Sequence, residues 1–178
     1  MSPSQSLLER AKSRYGRIGA AAYSVVLSLV VLAATGLVGV VAALPWLFPS
    51  LGPTVMLFFD SPEQPSARPL NTIVGHAVGI LAGVACLAAF GLFGAKPAPI
   101  GGLTPAYVAA GALSVALTIL VLTLLDLPHP PAGATTLIVS LGILTTPPQL
   151  LSIMGAVILV TIIGWGANVL LGTRPAKS

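Results

Sequence analysis

Charged residues are scarce in this 178-residue chain: Asp, Glu, Lys and Arg together make up 7% of it, and four residues are acidic. Soluble domains carry roughly a quarter charged residues, whereas 56% of this chain is hydrophobic. The composition therefore excludes a soluble domain and indicates an integral membrane protein whose partner is the lipid bilayer. The shortage of acidic residues also leaves no buried carboxylate cluster that would hold a cation.

Cysteine and the common catalytic motifs are missing as well. The chain has one cysteine, Cys86, which excludes an internal disulfide and a cysteine metal cluster and suits a small buried hydrophobe. No Ser/His/Asp order, metal-spaced histidine pair or glycine-rich phosphate loop supplies a nucleophile, a ligand set or a nucleotide site. We therefore expect no cofactor, no metal and no enzymatic activity.

The few basic residues concentrate near the N-terminus, at Arg10, Lys12, Arg14 and Arg17. Such a cluster beside a membrane span is typical of a cytoplasmic flank and not of a nucleic-acid-binding patch. We interpret residues 1–17 as a basic cytoplasmic tail, with a short helix across Leu7 to Tyr15. Residues 174–178 form a cytoplasmic C-terminal tail in this interpretation.

Long apolar runs predict an all-α integral membrane fold. A full span needs about 20 apolar residues, and four runs meet this length, at about 20–44, 71–93, 105–125 and 149–171. Two shorter runs, Ser50 to Asp60 and Ala132 to Leu144, each follow a proline-containing break. At 1.5 Å per residue they predict half-helices of roughly 16 and 20 Å.

The clearest break is the segment Leu127-Pro128-His129-Pro130-Pro131-Ala132-Gly133-Ala134-Thr135-Thr136. Proline lacks the amide hydrogen and disfavours helix at the preceding residue, so a new helix can begin only near Pro131 or Ala132. The first turn of that helix is expected to expose unpaired amides, together with His129, Gly133 and the hydroxyls of Thr135 and Thr136. This arrangement predicts an anion site.

The same pattern occurs earlier, where Pro49, Gly52 and Thr54 match Pro130, Gly133 and Thr135 at an offset of 81. A second match joins Gly94-Ala95-Lys96-Pro97-Ala98 to Gly172-Thr173-Arg174-Pro175-Ala176, and Ala-Tyr pairs open both halves. We interpret residues 18–98 and 99–173 as two internal membrane repeats. Ser50, Gly52 and Thr54 are then the first repeat's contribution to the site. The alternative is that both proline segments only end and restart packed helices.

Two topologies fit this pattern. Each proline segment either dips in and returns to one face, giving two parallel repeats, or crosses as a broken helix, giving six crossings and two inverted repeats. The first puts Arg68 alone outside and the second puts Lys96 alone outside. The matching Gly-x-basic-Pro-Ala ends favour the first topology, because only parallel repeats place both on the cytoplasmic side.

Three other features allow two interpretations each. Gly75, Gly79 and Gly83 recur every four residues, forming a ridge that is either internal or a contact with another copy. His76 beside it is either a neutral imidazole bonded to a neighbouring helix or part of a pathway. Asp126 either lies at the water interface or pairs with His129.

The His129-Pro130-Pro131 triplet followed by Ala-Gly-Ala-Thr, together with Pro49-Ser50-Leu51-Gly52-Pro53-Thr54, resembles the HPP family of integral membrane proteins. The resemblance covers about Tyr23 to Leu171. It implies a bacterial or plastid membrane protein, described as having four spans and suspected of transport, and we expect this one in the bacterial cytoplasmic (inner) membrane. Plant plastid and cyanobacterial members are associated with nitrite movement.

We therefore expect a transporter or channel for a small inorganic anion, most of all nitrite, bound where the two half-helices begin. Nitrate, formate, bicarbonate and chloride would suit the same chemistry. His129 is expected to act as a proton-sensitive gate, and a valine at Gly52 or Gly133 is expected to obstruct the site. A homo-oligomer, dimer or trimer, is expected because four spans make a thin bundle. The alternatives are an assembly subunit, or an intramembrane enzyme using Asp126 and His129 as an acid/base pair.

Overall fold

A computed structural model describes residues 5–173, so the C-terminal tail 174–178 and the first four residues lie outside it. Within the described residues, four helices are long and apolar enough to cross a membrane, as the sequence predicts. They are α1 (Leu7–Ala42), α3 (Pro69–Ala89), α5 (Pro105–Leu124) and the last helix, Pro147–Leu170. The last helix consists of α7 (Pro147–Val160), a π-helical turn (Thr161–Trp165) and α8 (Gly166–Leu170).

Two helices of ten residues alternate with the long ones: α2 (Leu51–Asp60) and α6 (Pro131–Ser140). Each is about 15 Å long, half the thickness of a bilayer's hydrocarbon core of about 30 Å. The end of α6 is four residues earlier than Leu144, where the sequence placed it. The reason is Gly142, whose φ of 80° is left-handed and stops the helix before the prolines are reached. A single turn, α4 (Ala98–Gly101), lies between α3 and α5.

The basic N-terminal segment is helical from Leu7, where Ser6 and Glu9 form a reciprocal capping box. Gly16, with φ 57° and ψ −135°, breaks this helix before the apolar part of α1 begins. A separate short helix across Leu7 to Tyr15 is thus present, as expected. The backbone of Leu7 donates to the carbonyl of Leu171 at 2.9 Å, which brings the first helix turn to the end of α8.

The directions of the helices follow from their contacts. Gly75, Gly79 and Gly83 of α3 approach His129, Ala132 and Val139 in the same order, so α3 and α6 run parallel. α5 runs antiparallel to α6, since Thr118 bonds Thr136 while Gly111 approaches Leu141. α2 returns along α1, because the carbonyl of Phe59 receives the hydroxyl of Ser24.

These directions define two ends of the bundle. The N-terminal face holds the start of the apolar part of α1 and the loops 61–68 and 125–130. The opposite face holds the loops 90–104 and 141–146 and the start of the loop 43–50, whose end at Ser50 lies inside the bundle. α2 and α6 each lead from one end towards the other and do not return. The re-entrant topology that the sequence favoured is therefore wrong for this structure, because the matched Gly-x-basic-Pro-Ala segments say nothing about helix direction.

The glycine ridge of α3 is internal. An added Cβ at Gly75 would lie 2.8 Å from Cβ of His129, one at Gly79 would lie 2.8 Å from the carbonyl oxygen of Ala132, and one at Gly83 would lie 2.7 Å from Cβ of Val139. The ridge thus lets the backbones of α3 and α6 approach closely. This answers the question that the sequence left open.

Candidate functional site

Five polar side chains meet inside the bundle where α2 and α6 begin. They come from α2, α3, α6 and the loops before α2 and α6, and are at most 2% exposed: Ser50, Thr54, His76, His129 and Thr135. We call this set the buried polar cluster. All five are among the residues singled out from the sequence, so the fold brings both proline segments and α3 to one place.

The centre of the cluster is His76 of α3. Its Nδ1 lies 2.6 Å from Oγ1 of Thr135, and its Nε2 lies 3.1 Å from Oγ1 of Thr54 and 3.2 Å from Nε2 of His129. The two imidazole rings meet edge to face, with centroids 4.9 Å apart. His76 therefore joins α2, α6 and the loop before α6.

The two ends of the cluster lie at different depths. On one side, Nδ1 of His129 lies 2.9 Å from the backbone carbonyl oxygen of Ser66, in the loop 61–68 at the N-terminal face. On the other, Oγ of Ser50 lies 2.6 Å from Oγ1 of Thr135. Ser50 precedes α2, about 15 Å of helix away from Asp60. The cluster thus extends from the N-terminal face to the middle of the bundle.

When both rings are neutral, the available acceptors determine which atom of each hydrogen bond carries the proton. A carbonyl oxygen only accepts, so Nδ1 of His129 donates to Ser66 and its Nε2 must accept. Nε2 of His76 then donates, and Nδ1 of His76 accepts from the hydroxyl of Thr135. Thr135 accepts from Ser50, because its own proton goes to His76. The hydroxyl of Thr54 donates to the carbonyl of Ser50 at 2.9 Å and is therefore an acceptor towards His76. The cluster is a directed chain of hydrogen bonds from Ser50 to the carbonyl of Ser66, with one branch at Nε2 of His76, whose proton faces both Thr54 and His129.

The amides at the start of α6 differ from the expectation. The N–H groups of Ala132 and Gly133 donate to the carbonyl oxygens of His129 and Pro130 at 3.0 and 3.1 Å. They are therefore not unpaired donors, because the proline turn before the helix supplies their acceptors. At the start of α2, Leu51 and Thr54 likewise donate to the carbonyls of Phe48 and Ser50, at 3.1 and 3.4 Å. Side chains, and not these amides, provide the polar surface here.

Two cavities lie beside the start of α6. The larger, of about 490 Å³, is bordered by His129, Gly133, Asp126 and the C-terminal half of α5. The smaller, of about 400 Å³, lies between α2 and α6 and is bordered by Asp60. An added Cβ at Gly133 or Gly52 would meet nothing within 4 Å. A side chain at Gly133 would enter the larger cavity, whereas Gly52 borders neither of these two cavities.

Asp126 and Thr136 lie outside the cluster. Asp126 is exposed, and both ring nitrogens of His129 already face Ser66 and His76, so Asp126 takes the interface position. Thr136 is fully buried, but its hydroxyl faces α5, 2.9 Å from that of Thr118, and donates to the carbonyl of Ala132. Thr135 therefore faces the buried polar cluster, whereas Thr136 faces α5.

Sequence reasoning missed two participants. The carbonyl of Ser66 has no sequence signal, because any residue in a loop offers a backbone carbonyl. Asn71 was identifiable as an amide at the start of an apolar span; its Nδ2 donates to the carbonyl of Pro128 at 3.1 Å and ties α3 to the proline turn. Together they fix the loop that carries His129.

The buried polar cluster contains no acidic side chain. All four acidic residues of the chain are exposed, namely Glu9, Asp60, Glu63 and Asp126. No group of three His, Cys, Asp or Glu side chains that could hold a metal ion occurs in residues 5–173. The interior around His76 therefore offers hydroxyls and imidazoles and no carboxylate among the described residues.

Comparison with protein families matches residues 13–175 to the model described as HPP, transmembrane region. Neither the curated proteins nor the solved structures contain a match to the chain. The family match covers every residue of the buried polar cluster and all four long helices except the first turns of α1.

Proposed function

The chain belongs to the HPP transmembrane family, and from this premise we propose that it is a transporter or channel for a small inorganic anion, with nitrite the first to test. The observation that carries the proposal is the buried polar cluster at the start of α2 and α6. Hydroxyl and imidazole donors there are buried without a carboxylate, which suits a small anion better than a metal cation. The nitrite association comes from the family resemblance.

The route that we propose begins at the N-terminal face. The cavity of about 490 Å³ borders His129 and Gly133, and His129 is the outer end of the cluster. An anion that entered this cavity would reach His129 first. Hydroxyls of the cluster would then take over its coordination towards the middle of the bundle. Since the helix-start amides have acceptors, these side chains replace them as the anion's partners in the proposal.

Both termini are proposed to be cytoplasmic, in a bacterial cytoplasmic membrane. Five of the basic residues in the described part, Arg10, Lys12, Arg14, Arg17 and Arg68, lie at the N-terminal face, and Lys96 lies at the opposite one. An excess of Lys and Arg marks the cytoplasmic side. A dimer or trimer remains a prediction, and the glycine ridge is not its contact surface because α6 already covers it.

The test is uptake of labelled nitrite into proteoliposomes, with nitrate, formate, bicarbonate and chloride as competitors. Protein-mediated flux above that of protein-free liposomes is expected. Its absence, with folded protein in the bilayer, would favour the assembly-subunit alternative. The enzyme alternative remains open to the same assay, and it would need a contact between His129 and Asp126 other than the contacts that His129 makes with Ser66 and His76.

A matched glycine pair tests the route. Gly133→Val and Gly52→Val place the same side chain at the third and second residues of two ten-residue helices, and neither Cβ meets an obstacle within 4 Å. Gly133→Val would partly fill the larger cavity and is expected to lower nitrite flux at least tenfold, whereas Gly52→Val keeps that cavity clear. Equal flux through both variants would exclude this cavity as the route.

A further inference from the structure

The two histidines of the buried polar cluster are the only two in the chain, and they contact each other through Nε2 at 3.2 Å. With both rings neutral, this contact holds one proton, on His76. A second proton between the same two atoms would place two N–H groups against each other. An incoming proton therefore cannot simply add to Nε2 of His129 while His76 keeps its own Nε2 proton.

The charge can rest on either ring, and the shared site that we infer places it on His129, the outer end of the cluster, in balanced steps. The entering proton is accepted by the hydroxyl oxygen of Ser50, Ser50 passes its own proton to Thr135, and Thr135 passes its own to Nδ1 of His76. The Nε2 proton of His76 transfers to Nε2 of His129. His129 then carries protons on both nitrogens and has a single positive charge, while His76 has changed tautomer. One proton has entered, and every bond that breaks is matched by one that forms.

The groups around the two histidines determine what can compensate the positive charge of the protonated pair. The elements packed on the pair present Thr54 from α2, Thr135 from α6, Gly75 from α3 and the Ser66 carbonyl from the loop 61–68. The charged side chains carried by these elements and by the loop before α6 are Asp60, Glu63, Arg68 and Asp126, and the three carboxylates are exposed. A buried charge without a partner is costly, and no buried carboxylate is present among residues 5–173 to compensate it.

We propose that the His76–His129 pair is a shared proton-binding site and that one proton accompanies each transported anion, so that transport is electroneutral. The proposal rests on the proposed function for its anion. A buried proton and a buried anion each remove the other's unpaired charge, so each must tighten binding of the other by the same factor. The pair, and not His129 with Asp126, is then the proton-sensitive element.

The first arm of the test does not need transport. Protein labelled with ¹⁵N-histidine, freed of any histidine tag, gives signals from two side chains, so each tautomer can be assigned by NMR. At high pH, His129 is expected as the Nδ1–H tautomer and His76 as the Nε2–H tautomer. On acidification the pair should take up one proton together, and His76 should switch to Nδ1–H. Two independent titrations with unchanged tautomers would overturn the shared site.

The second arm measures coupling in proteoliposomes with an internal pH dye and an imposed potassium diffusion potential. After subtraction of the flux in protein-free liposomes, about one proton is expected to enter with each nitrite ion. The rate of nitrite entry should not change with the membrane potential. Nitrite flux that follows the potential and moves no protons would overturn the symport and leave the proposed function standing. Absence of any nitrite flux would instead refute the proposed function and the symport together, leaving the NMR result to decide the shared site.

Variants distinguish a proton-binding role of these residues from a purely structural role. His129→Asn and His76→Gln keep a hydrogen-bonding side chain but cannot titrate, so any remaining flux should become dependent on the potential and lose its pH dependence. Thr135→Val interrupts the chain between Ser50 and His76 and should have the same effect. Thr35→Val is the matched control, because Thr35 is fully buried and bonds only the carbonyl of Val31 in its own helix. Wild-type coupling in the Thr135→Val protein would refute the hydrogen-bonded route.

Discussion

α2 and α6 have the same length and each follows a proline-containing segment, yet they are held in the bundle differently. The buried side chains of α2 are mostly large and apolar, and include Phe58 and Phe59 at 0% exposed. Those of α6 include three hydroxyls, on Thr135, Thr136 and Ser140, which are also 0% exposed. A bulky apolar helix and a small polar helix thus flank the same cluster.

The residues that contact α2 and α6 show the same contrast between large side chains and close backbone packing. Phe58 packs where Gly164 in the π-helical turn leaves room, since a Cβ at Gly164 would lie 2.9 Å from the Phe58 ring. The carbonyl of Phe58 also accepts from Nδ2 of Asn168, whose Oδ1 receives the hydroxyl of Tyr23 at 2.7 Å. α6 instead lies with its backbone against the glycine ridge of α3. We infer that α2 is anchored by side-chain volume, and α6 by backbone proximity.

The largest expected effect concerns what the two helices share, which is that each forms part of a broken crossing of the bundle. In a Cys86→Ala background, the exposed positions Ser13, Glu63 and Lys96 are changed singly to cysteine and labelled with a membrane-impermeant maleimide. Ser13→Cys and Glu63→Cys should react from one face of the membrane and Lys96→Cys from the other. Re-entrant helices would give the reverse grouping, with Lys96→Cys reacting beside Ser13→Cys.

The next effect tests the anchoring of α2 by volume. Phe58→Ala would leave a cavity beside Gly164, and such a change in a protein core costs about 3–5 kcal/mol. A value towards the lower end is expected, because lipid is itself apolar and the transfer part of the cost is small. Unfolding in detergent followed by circular dichroism measures the loss. Met56→Ala, at an exposed position of the same helix, is the control and should change little.

The anchoring of α6 by backbone proximity is tested by Gly79→Ala. The added methyl would lie 2.8 Å from the backbone oxygen of Ala132, which cannot move alone, so a loss of about 1–3 kcal/mol is expected. Gly111→Ala in α5 meets only the ends of leucine side chains, at 3.5 and 3.7 Å. It should be neutral or stabilising, because alanine favours helix by up to about 1 kcal/mol over glycine. Equal melting temperatures for the two variants would contradict close packing of α3 on α6.

These contrasts show where sequence reasoning succeeds. The proline breaks were predictable because a missing amide hydrogen acts on the nearest residues whatever the fold. The long spans were predictable because lipid demands an uninterrupted apolar run of fixed length. Ser50, Thr54, His129 and Thr135 could be selected for the same reason, since each lies within a few residues of a proline break.

Other features depend on contacts between distant parts of the chain. His76 and His129 meet although 53 residues separate them, and no local pattern specifies that the Gly75 ridge receives α6 rather than another copy. The direction of α2 and α6 likewise depends on packing against α1 and α3. The expected free amides of Ala132 and Gly133 were wrong because the preceding carbonyls, which no side-chain pattern reveals, already accept from them.

The smallest expected effects compare a serine at the start of α2 with one at the end of α6. Ser50 and Ser140 are both 0% exposed, but Oγ of Ser50 lies 2.6 Å from Thr135, while Oγ of Ser140 has no hydrogen-bond partner among residues 5–173. Ser50→Ala removes one hydrogen bond and leaves Thr135 still donating to His76, so a loss of about 0.5–1.5 kcal/mol is expected. Ser140→Ala removes a buried hydroxyl whose desolvation nothing offsets, so it should leave stability unchanged or raise it by about 1 kcal/mol. The two variants differ from the native protein by the same single oxygen atom, which makes the sign of the difference in unfolding free energy the measurement that matters. If the Ser140→Ala protein is less stable than the Ser50→Ala protein, the hydroxyl of Ser140 has a stronger hydrogen-bond partner than that of Ser50. The polar side of α6 would then extend beyond the cluster towards the opposite face.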